Sequence, residues 1–589
     1  MSTAAWYEED WPLEQAMMQM NVFVANHNSV PWTAVAGSLE ALVIRSGMVR
    51  EIPWTLADLH ALKYLHFRRG WKLAALPESL GSLQALSTLV LTHLDMSVLP
   101  DSIAELSELT HFSVEECVMK TLPESMGRLT RLTYLRVASC KSLQTLPEAL
   151  GHLTKLHTLE MMFCYGVTML PASIGRLKSL RTLQLRSNHK LQVSAEWVRQ
   201  LTLLEELDLS ESLGMTELPD VFNELQALTT LSVRGCSSIR TLPYSLGEAL
   251  LLTTLDVSRT SIQALPRNLS GLLNLRTLHT MGYVTIDHPQ HFQHHLPLHA
   301  LPHVPHHLPH HPLQHLPQHL PHYLLQHLPA QLAVQSLVLE HCNAYIPDWV
   351  TTLTYLRKLH IVASPRLVAV PTDLSTLCNV EELLIGHSEH LSALPDALGA
   401  LVKLRRFGLR SCTALTSLPD AICQLPALEY LLIHDCPLLT GLPADIGNLS
   451  TLQEARVTWC QALTSVPHSI GALKALETLD LTMCNSLTEL PDSIGALQAL
   501  VELDLNSCSM LTELPVSLVR ARRLTTVDFA RCWNLSSMWT RENLANLQLA
   551  AWAEDAQVEI LFLIMAGRRQ KVGQVLPSEV WVLVRDMTH

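Results

Sequence analysis

The chain has 589 residues, 48% of them hydrophobic but only 5% aromatic, and a formal charge of −13. That charge argues against a nucleic-acid partner, because neutralising phosphates takes clustered Lys and Arg, and no basic stripe interrupts the sequence. No apolar run reaches the ~18 residues of a membrane-spanning helix, so membrane insertion is not expected.

Residues 1–36 show no period. Trp6, Trp11, Trp32 and the methionines Met17, Met18 and Met20 supply apolar bulk, and the segment is expected to cap one end of a core. The stretch from Met1 to Asp10 is acidic and lacks the charged-then-apolar layout of a secretory leader, which points to a cytoplasmic protein.

From residue 37 a period of 23–24 residues sets in. Its clearest run is Pro419, Pro443, Pro467, Pro491 and Pro515, with Cys412, Cys436, Cys460, Cys484 and Cys508 each seven positions earlier. The period from Leu476 to Leu497 reads L-x-x-L-x-L-x-x-C-x-x-L-x-x-L-P-x-x-I-G-x-L. Leu479 and Leu481 alternate as a half-buried strand requires, with one residue turned outward between them. Leu490-Pro491 ends the turn, and Ser493 to Leu500 predicts a short helical segment on the opposite, convex side. Strand-centre residues fall at 42, 65, 89, 112, 135, 159, 183, 207, 231, 255 and 278, then at 337, 359, 383, 407, 431, 455, 479, 503 and 527. Such units bury their apolar side only against each other. The expected fold is an α/β solenoid, a horseshoe of about 20 repeats with a parallel sheet on the concave face. It divides into a first arc over 37–284, an insertion over 285–329, a second arc over 330–540 and a C-terminal cap over 541–589.

The insertion is rich in His and Pro: fourteen histidines and nine prolines stand between His288 and Pro329. Proline at that density forbids helix or central strand, so the segment reads as low-complexity chain looped out of the array. Neutral imidazoles could take a metal, but no fixed four-ligand geometry emerges, and no metal site or cofactor is assigned. At the C-terminus Val558 to Ala566 and Leu576 to Arg585 read as apolar capping pieces.

Nine cysteines share one repeat position: Cys140, Cys164, Cys236, Cys412, Cys436, Cys460, Cys484, Cys508 and Cys532. On parallel strands ~4.8 Å apart their side chains would point alike, a poor approach for a disulfide. They are expected to be a ladder of buried thiols, each turned inward at the bend to satisfy backbone of the next coil.

The outward positions offer two candidate protein-binding regions. Arg406, Arg410, Tyr430, His434, Arg456 and Trp459 combine arginine with aromatic side chains, the usual anchors of interfaces, with Glu454 and Asp435 as competing local ion-pair partners. Farther on, Asp480, Asp504 and Asp528 line up with Glu502 beside them, and Asp208 and Asp256 form an earlier pair; a basic partner would relieve their mutual repulsion. No nucleophile elbow, H-E-x-x-H or C-x-x-C appears, and no catalytic role is assigned.

The Leu-Pro-x-Ser-Ile-Gly-x-Leu segments at 122, 170, 466 and 490 (Met126 standing for Ile in the first, Val466 for Leu in the third) and the Leu-x-Leu-x-x-Cys strands resemble the leucine-rich repeat pattern. Over residues 38–540 they are similar to the repeat region of plant intracellular disease-resistance receptors and to Ras-suppressor-like scaffolds, including plant Ras-group-related proteins. The receptors' phosphate loop is missing here. The resemblance implies a non-enzymatic scaffold that holds a small GTPase, a kinase or another signalling protein on its concave face, in signal transduction or immune-like recognition. Two alternatives stand beside it. Leu576-Pro-Ser-Glu-Val-Trp581 is similar to the opening of an F-box, which suggests a substrate adaptor of a ubiquitin ligase, and the histidine tract suggests a metal-responsive protein.

Overall fold

The computed structural model describes residues 22–25, 39–45, 51–52, 54–282, 285–286, 333–536 and 539. The chain forms two compact units, one up to Leu278 and one from Ala333 onward. Every strand centre expected from the period lies inside an observed strand, from Ala41–Arg45 to Thr277–Met281 and from Ser336–Glu340 to Thr526–Asp528. In each unit successive strands pair in parallel and in phase, so like repeat positions stand side by side, as in Thr230↔Thr254 and Arg406↔Tyr430. Three strands were not foreseen. Val22–Ala25 pairs with Ala41–Ile44 inside the segment expected to cap, and it hid because Phe23 and Leu42 are not one full period apart. At the start of the predicted insertion, Thr285–Ile286 pairs with Ala264–Leu265; the histidine tract and the C-terminal capping pieces lie outside the described residues.

The core is the stack of inward residues: Leu479, Leu481, Leu503 and Leu505 have no accessible surface. Across from the strands the expected helical segments are short 3-10 turns, such as Asp492–Ala496, most of them entered through a proline such as Pro491 at φ −71°. Proline fixes that extended entry, and the N–H it lacks is one the turn does not use. The Ile-Gly of the motif is dictated by packing, since a Cβ on Gly495 would lie 2.0 Å from the Ser517 carbonyl oxygen of the next coil. Among the described residues only Ala195–Val198, where the sequence lacks Leu-Pro, has an α-turn in place of the 3-10 turn, capped by the Ser194 hydroxyl accepting from the Glu196 N–H.

Most strands are followed at the bend by a residue with positive φ, among them Phe163, Asp435, Trp459 and Met483 between 57° and 62°. No Val, Ile or Thr takes this place, because β-branched side chains are the most strained in the left-handed region. The next residue turns inward and carries the ladder. There Cys484, Cys508 and Cys532 donate to the carbonyls of Val457, Leu481 and Leu505, at 3.1, 3.2 and 3.0 Å. Those carbonyls belong to the preceding coil, which corrects the expected direction: the strand carbonyl at the bend is left over on the N-terminal side. Asn188 does both jobs, donating to Met161 and accepting from the Cys164 N–H.

All thirteen cysteines are free, and all but Cys378 are buried. Cys117 and Cys342 also belong to the ladder, each following a left-handed residue, Glu116 or His341. Spacing to the Leu-Pro step missed them because their turns are shorter, with Pro123 and Pro347 arriving early. Burial pushes the Cys140 and Cys342 thiols up to about 11. Cys117, Cys164, Cys236, Cys460 and Cys508 rise to about 12 for the same reason.

Candidate functional site

The strands Arg406–Arg410, Tyr430–His434 and Glu454–Thr458 present three outward columns in each repeat. Register places Arg406 beside Tyr430 and Glu454, Arg410 beside His434 and Thr458, and Gly408 beside Leu432 and Arg456. The expected patch is therefore one contiguous surface, with one correction. Trp459 does not sit on a strand: the strand stops at Thr458, and Trp459 is the left-handed residue after it, with φ 59°. From the bend its ring leans edge-on to His434, with centroids 6.3 Å apart, and it stays 43% exposed. The His434 ring is fixed on the other side by a 2.8 Å hydrogen bond between its Nδ1 and the Thr458 hydroxyl.

Charge is distributed unevenly over this face. Arg456 bonds Glu454, the local pairing weighed from the sequence, and that hydrogen bond lifts its pKa. Arg405 meets Glu429 at 3.1 Å, and Arg357 meets Glu381 at 3.2 Å. Burial pushes the Glu382 carboxyl up, but hydrogen bonds from His360 at 2.9 Å and Lys358 at 3.3 Å outweigh it and hold the group below its ordinary range. Among the described residues Arg406 and Arg410, both exposed, make no ion pair and no side-chain hydrogen bond. Sequence reasoning could rank these arginines but not see that Glu382, Glu429 and Glu454 are already engaged, while Asp435, the other local partner weighed, pairs with neither arginine.

The acidic column is in place, with Asp480, Asp504 and Asp528 in register and Glu502 on the same face one column over. Each aspartate accepts the backbone N–H two residues on: Thr482 at 3.0 Å, Asn506 at 2.8 Å and Ala530 at 3.0 Å. That bond closes the strand early. These strands span three residues where the arginine-bearing ones span five, and Asp208 and Asp256 do the same through Ser210 and Ser258. Sequence spacing alone gave no sign of this local turn chemistry.

A family model described as leucine-rich repeat region matches residues 50–166 and 126–237. The array is built of leucine-rich repeats. No curated protein matches the sequence at a significant level. Among solved structures, a leucine-rich repeat protein of Leptospira interrogans is 20% identical, covering 86% of this chain and 100% of its own, with a TM-score of 0.42. A plant peptide hormone receptor in complex with RGF2 is 17% identical over 87% of this chain and 90% of its own, at 0.39. The leucine-rich repeat domain of the type III effector XopL is 28% identical over 36% of this chain and 73% of its own, at 0.32. These likenesses carry no argument about what these leucine-rich repeats bind. Among the described residues no helix is long and apolar enough to cross a membrane, and no three His, Cys, Asp or Glu side chains group as a metal site.

Proposed function

We propose that this chain is a non-enzymatic, cytoplasmic leucine-rich repeat scaffold that holds a signalling protein, such as a small GTPase or a kinase, on the strand face around Arg406, Arg410, Tyr430, His434, Arg456 and Trp459. The observation that carries this reading is the pair of exposed arginines without partners beside a half-exposed tryptophan, on strands whose other nearby cations are paired. Folding gains little from leaving guanidinium and indole groups in water, whereas a partner that covers them gains hydrogen bonds and apolar burial. The parallel sheet holds these groups at fixed spacing, so little ordering cost is added on binding. The acidic column of Asp480, Glu502, Asp504 and Asp528 would meet basic groups of the same partner.

Affinity purification with mass spectrometry from the native cell tests this reading. Wild type is compared with a variant carrying Arg410→Ala, Arg456→Ala and Trp459→Ala, after circular dichroism shows that the variant folds. Loss of a specific partner is expected. An unchanged partner set would remove the site from this face.

A further inference from the structure

Arg406 and Arg410 lie on one strand, on one side, four residues apart, with Gly408 between them. At ~3.3 Å per residue their Cα atoms are separated by about 13 Å. The glycine between them is buried under apolar side chains. A Cβ on Gly408 would lie 2.7 Å from Leu384 Cδ1 and 3.9 Å from Leu432 Cβ, so the two leucines of the neighbouring strands close over the place where a side chain would stand. Beside Arg410 the next strand also carries glycine: Gly386 is its register partner, and a Cβ there would come no nearer than 3.9 Å to any atom of Arg410. On the other side the half-buried Tyr430 and His434 stand next to the two arginines. The carboxylates nearest in the sheet are engaged elsewhere, Glu382 with His360 and Lys358, Glu429 with Arg405, and Glu454 with Arg456.

We propose that this apolar surface between the two arginines takes an extended acidic peptide segment of the partner, with two carboxylate side chains four residues apart and an apolar side chain midway between them. An extended chain rises by the same ~3.3 Å per residue and turns alternate side chains to one side, so positions i, i+2 and i+4 all face the sheet. The carboxylates then meet Arg406 and Arg410 in paired, charge-assisted hydrogen bonds, and the middle side chain covers Leu384 and Leu432 over Gly408. The apolar surface between the arginines offers nothing to a phosphate group or a polyphosphate chain. This inference rests on the protein-binding reading above and specifies what that site recognises.

The test is fluorescence anisotropy of the full chain with a labelled Glu-Ser-Leu-Ser-Glu peptide flanked by Gly-Ser. Comparison peptides carry Gln for both Glu, Ser for Leu, or the two Glu only two residues apart. Saturable binding to the parent is expected, with at least a tenfold loss for each altered peptide. A tenfold loss is likewise expected for the R406A/R410A double variant, whose melting curve should match wild type. Gly408→Val, which must push the Leu384 side chain aside while keeping both arginines, should weaken the parent peptide and leave the Leu-to-Ser peptide unaffected. Equal binding of all peptides, full binding by the double variant, or displacement by a single-stranded oligonucleotide in preference to the acidic peptide would overturn the proposal. No binding of the parent peptide, together with loss of the cellular partner in the Trp459 variant, would overturn this inference and leave the protein-binding reading standing.

Discussion

The strand face between Glu115 and Asp256 and the face between Arg406 and Trp459 come from one repeat but settle their charges differently. In the first, Arg136 lies between Glu115 and Glu160 at 2.6 Å from each, Arg186 meets Asp208 at 2.5 Å, and Arg234 reaches the Ser258 hydroxyl at 2.9 Å beside Asp256. Each arginine finds its partner on a neighbouring strand, so the pairing follows from register. In the second, register sets Arg406 between Tyr430 and Glu382, whose carboxylate His360 and Lys358 already hold, and Arg410 between His434 and Gly386. The difference separates two uses of the same outward positions. Cross-strand pairs neutralise a face and help to fix its register, whereas cations left without a carboxylate keep their hydrogen-bonding capacity for something outside the chain.

The largest expected break between the two regions comes at alkaline pH. The second unit carries the longer run of buried thiols, with Cys460 and Cys508 raised to about 12 and Cys412, Cys484 and Cys532 also raised by burial, Cys412 chiefly by its hydrogen bond to Cys436. An unfolded thiol titrates near pH ~8.5. The folded chain keeps these protons where the unfolded chain releases them, so this stabilisation is complete below that pH and declines as pH rises toward the folded values. The decline amounts to roughly 1.4 kcal/mol per pH unit for each such thiol. Urea unfolding at pH 7.5 and 9.5 should show a large fall in midpoint. Limited proteolysis at the higher pH should cut the coils from Cys412 to Cys532 before those from Cys117 to Cys236. Equal midpoints would show that the ladder thiols are not shielded.

Arg136→Ala attacks the first face directly. It leaves Glu115 and Glu160 on either side of an empty position and strands hydrogen bonds from both. Its partly exposed setting keeps the cost below that of a fully buried triad, at about 1 to 3 kcal/mol. Chemical denaturation measures it, and a second substitution, Glu115→Gln, should restore part of the loss by removing one of the facing charges. An Arg136→Ala protein as stable as wild type would mean that these pairs decorate the face without holding it.

A smaller effect fixes where the second face ends. If Trp459 occupied a strand position, Trp459→Gly would be less stable than Trp459→Ala. Because its φ is 59°, the order should invert, with the Gly variant more stable by about 0.5 to 1 kcal/mol. Thermal melts of the two variants decide it, and the strand-like order would place the indole back on the sheet.

The fold was legible to the level of single strands, since strand centres and turn prolines repeat in sequence at the interval at which they stack in space. Phe23, Cys117 and Cys342 escaped because their intervals are short, and a fixed period cannot register a coil that closes early. The patch was legible as a set of residue types but not as a state of charge. That Arg405 is paired and Arg406 is not depends on which residue stands one strand away, and Glu429 and Tyr430 differ by a single position. The aspartate column was visible as a row of like charges, while its bonds to the backbone two residues on belong to the conformation of the bend.

The smallest expected effect is the most discriminating. Arg410→Ala removes a side chain with no ion pair or side-chain hydrogen bond among the described residues, next to a glycine whose missing side chain leaves it uncrowded. Its stability should stay within about 0.5 kcal/mol of wild type. Set against Arg136→Ala, the same substitution at an outward arginine of the same repeat, this predicts a several-fold difference in destabilisation, with the larger value at the paired site. A comparable loss at Arg410 would mean that the second face also settles its charges internally, and the reason for assigning it to a partner would be gone. A silent Arg410→Ala that still loses the acidic peptide would show that the guanidinium is held for binding and contributes nothing to the fold.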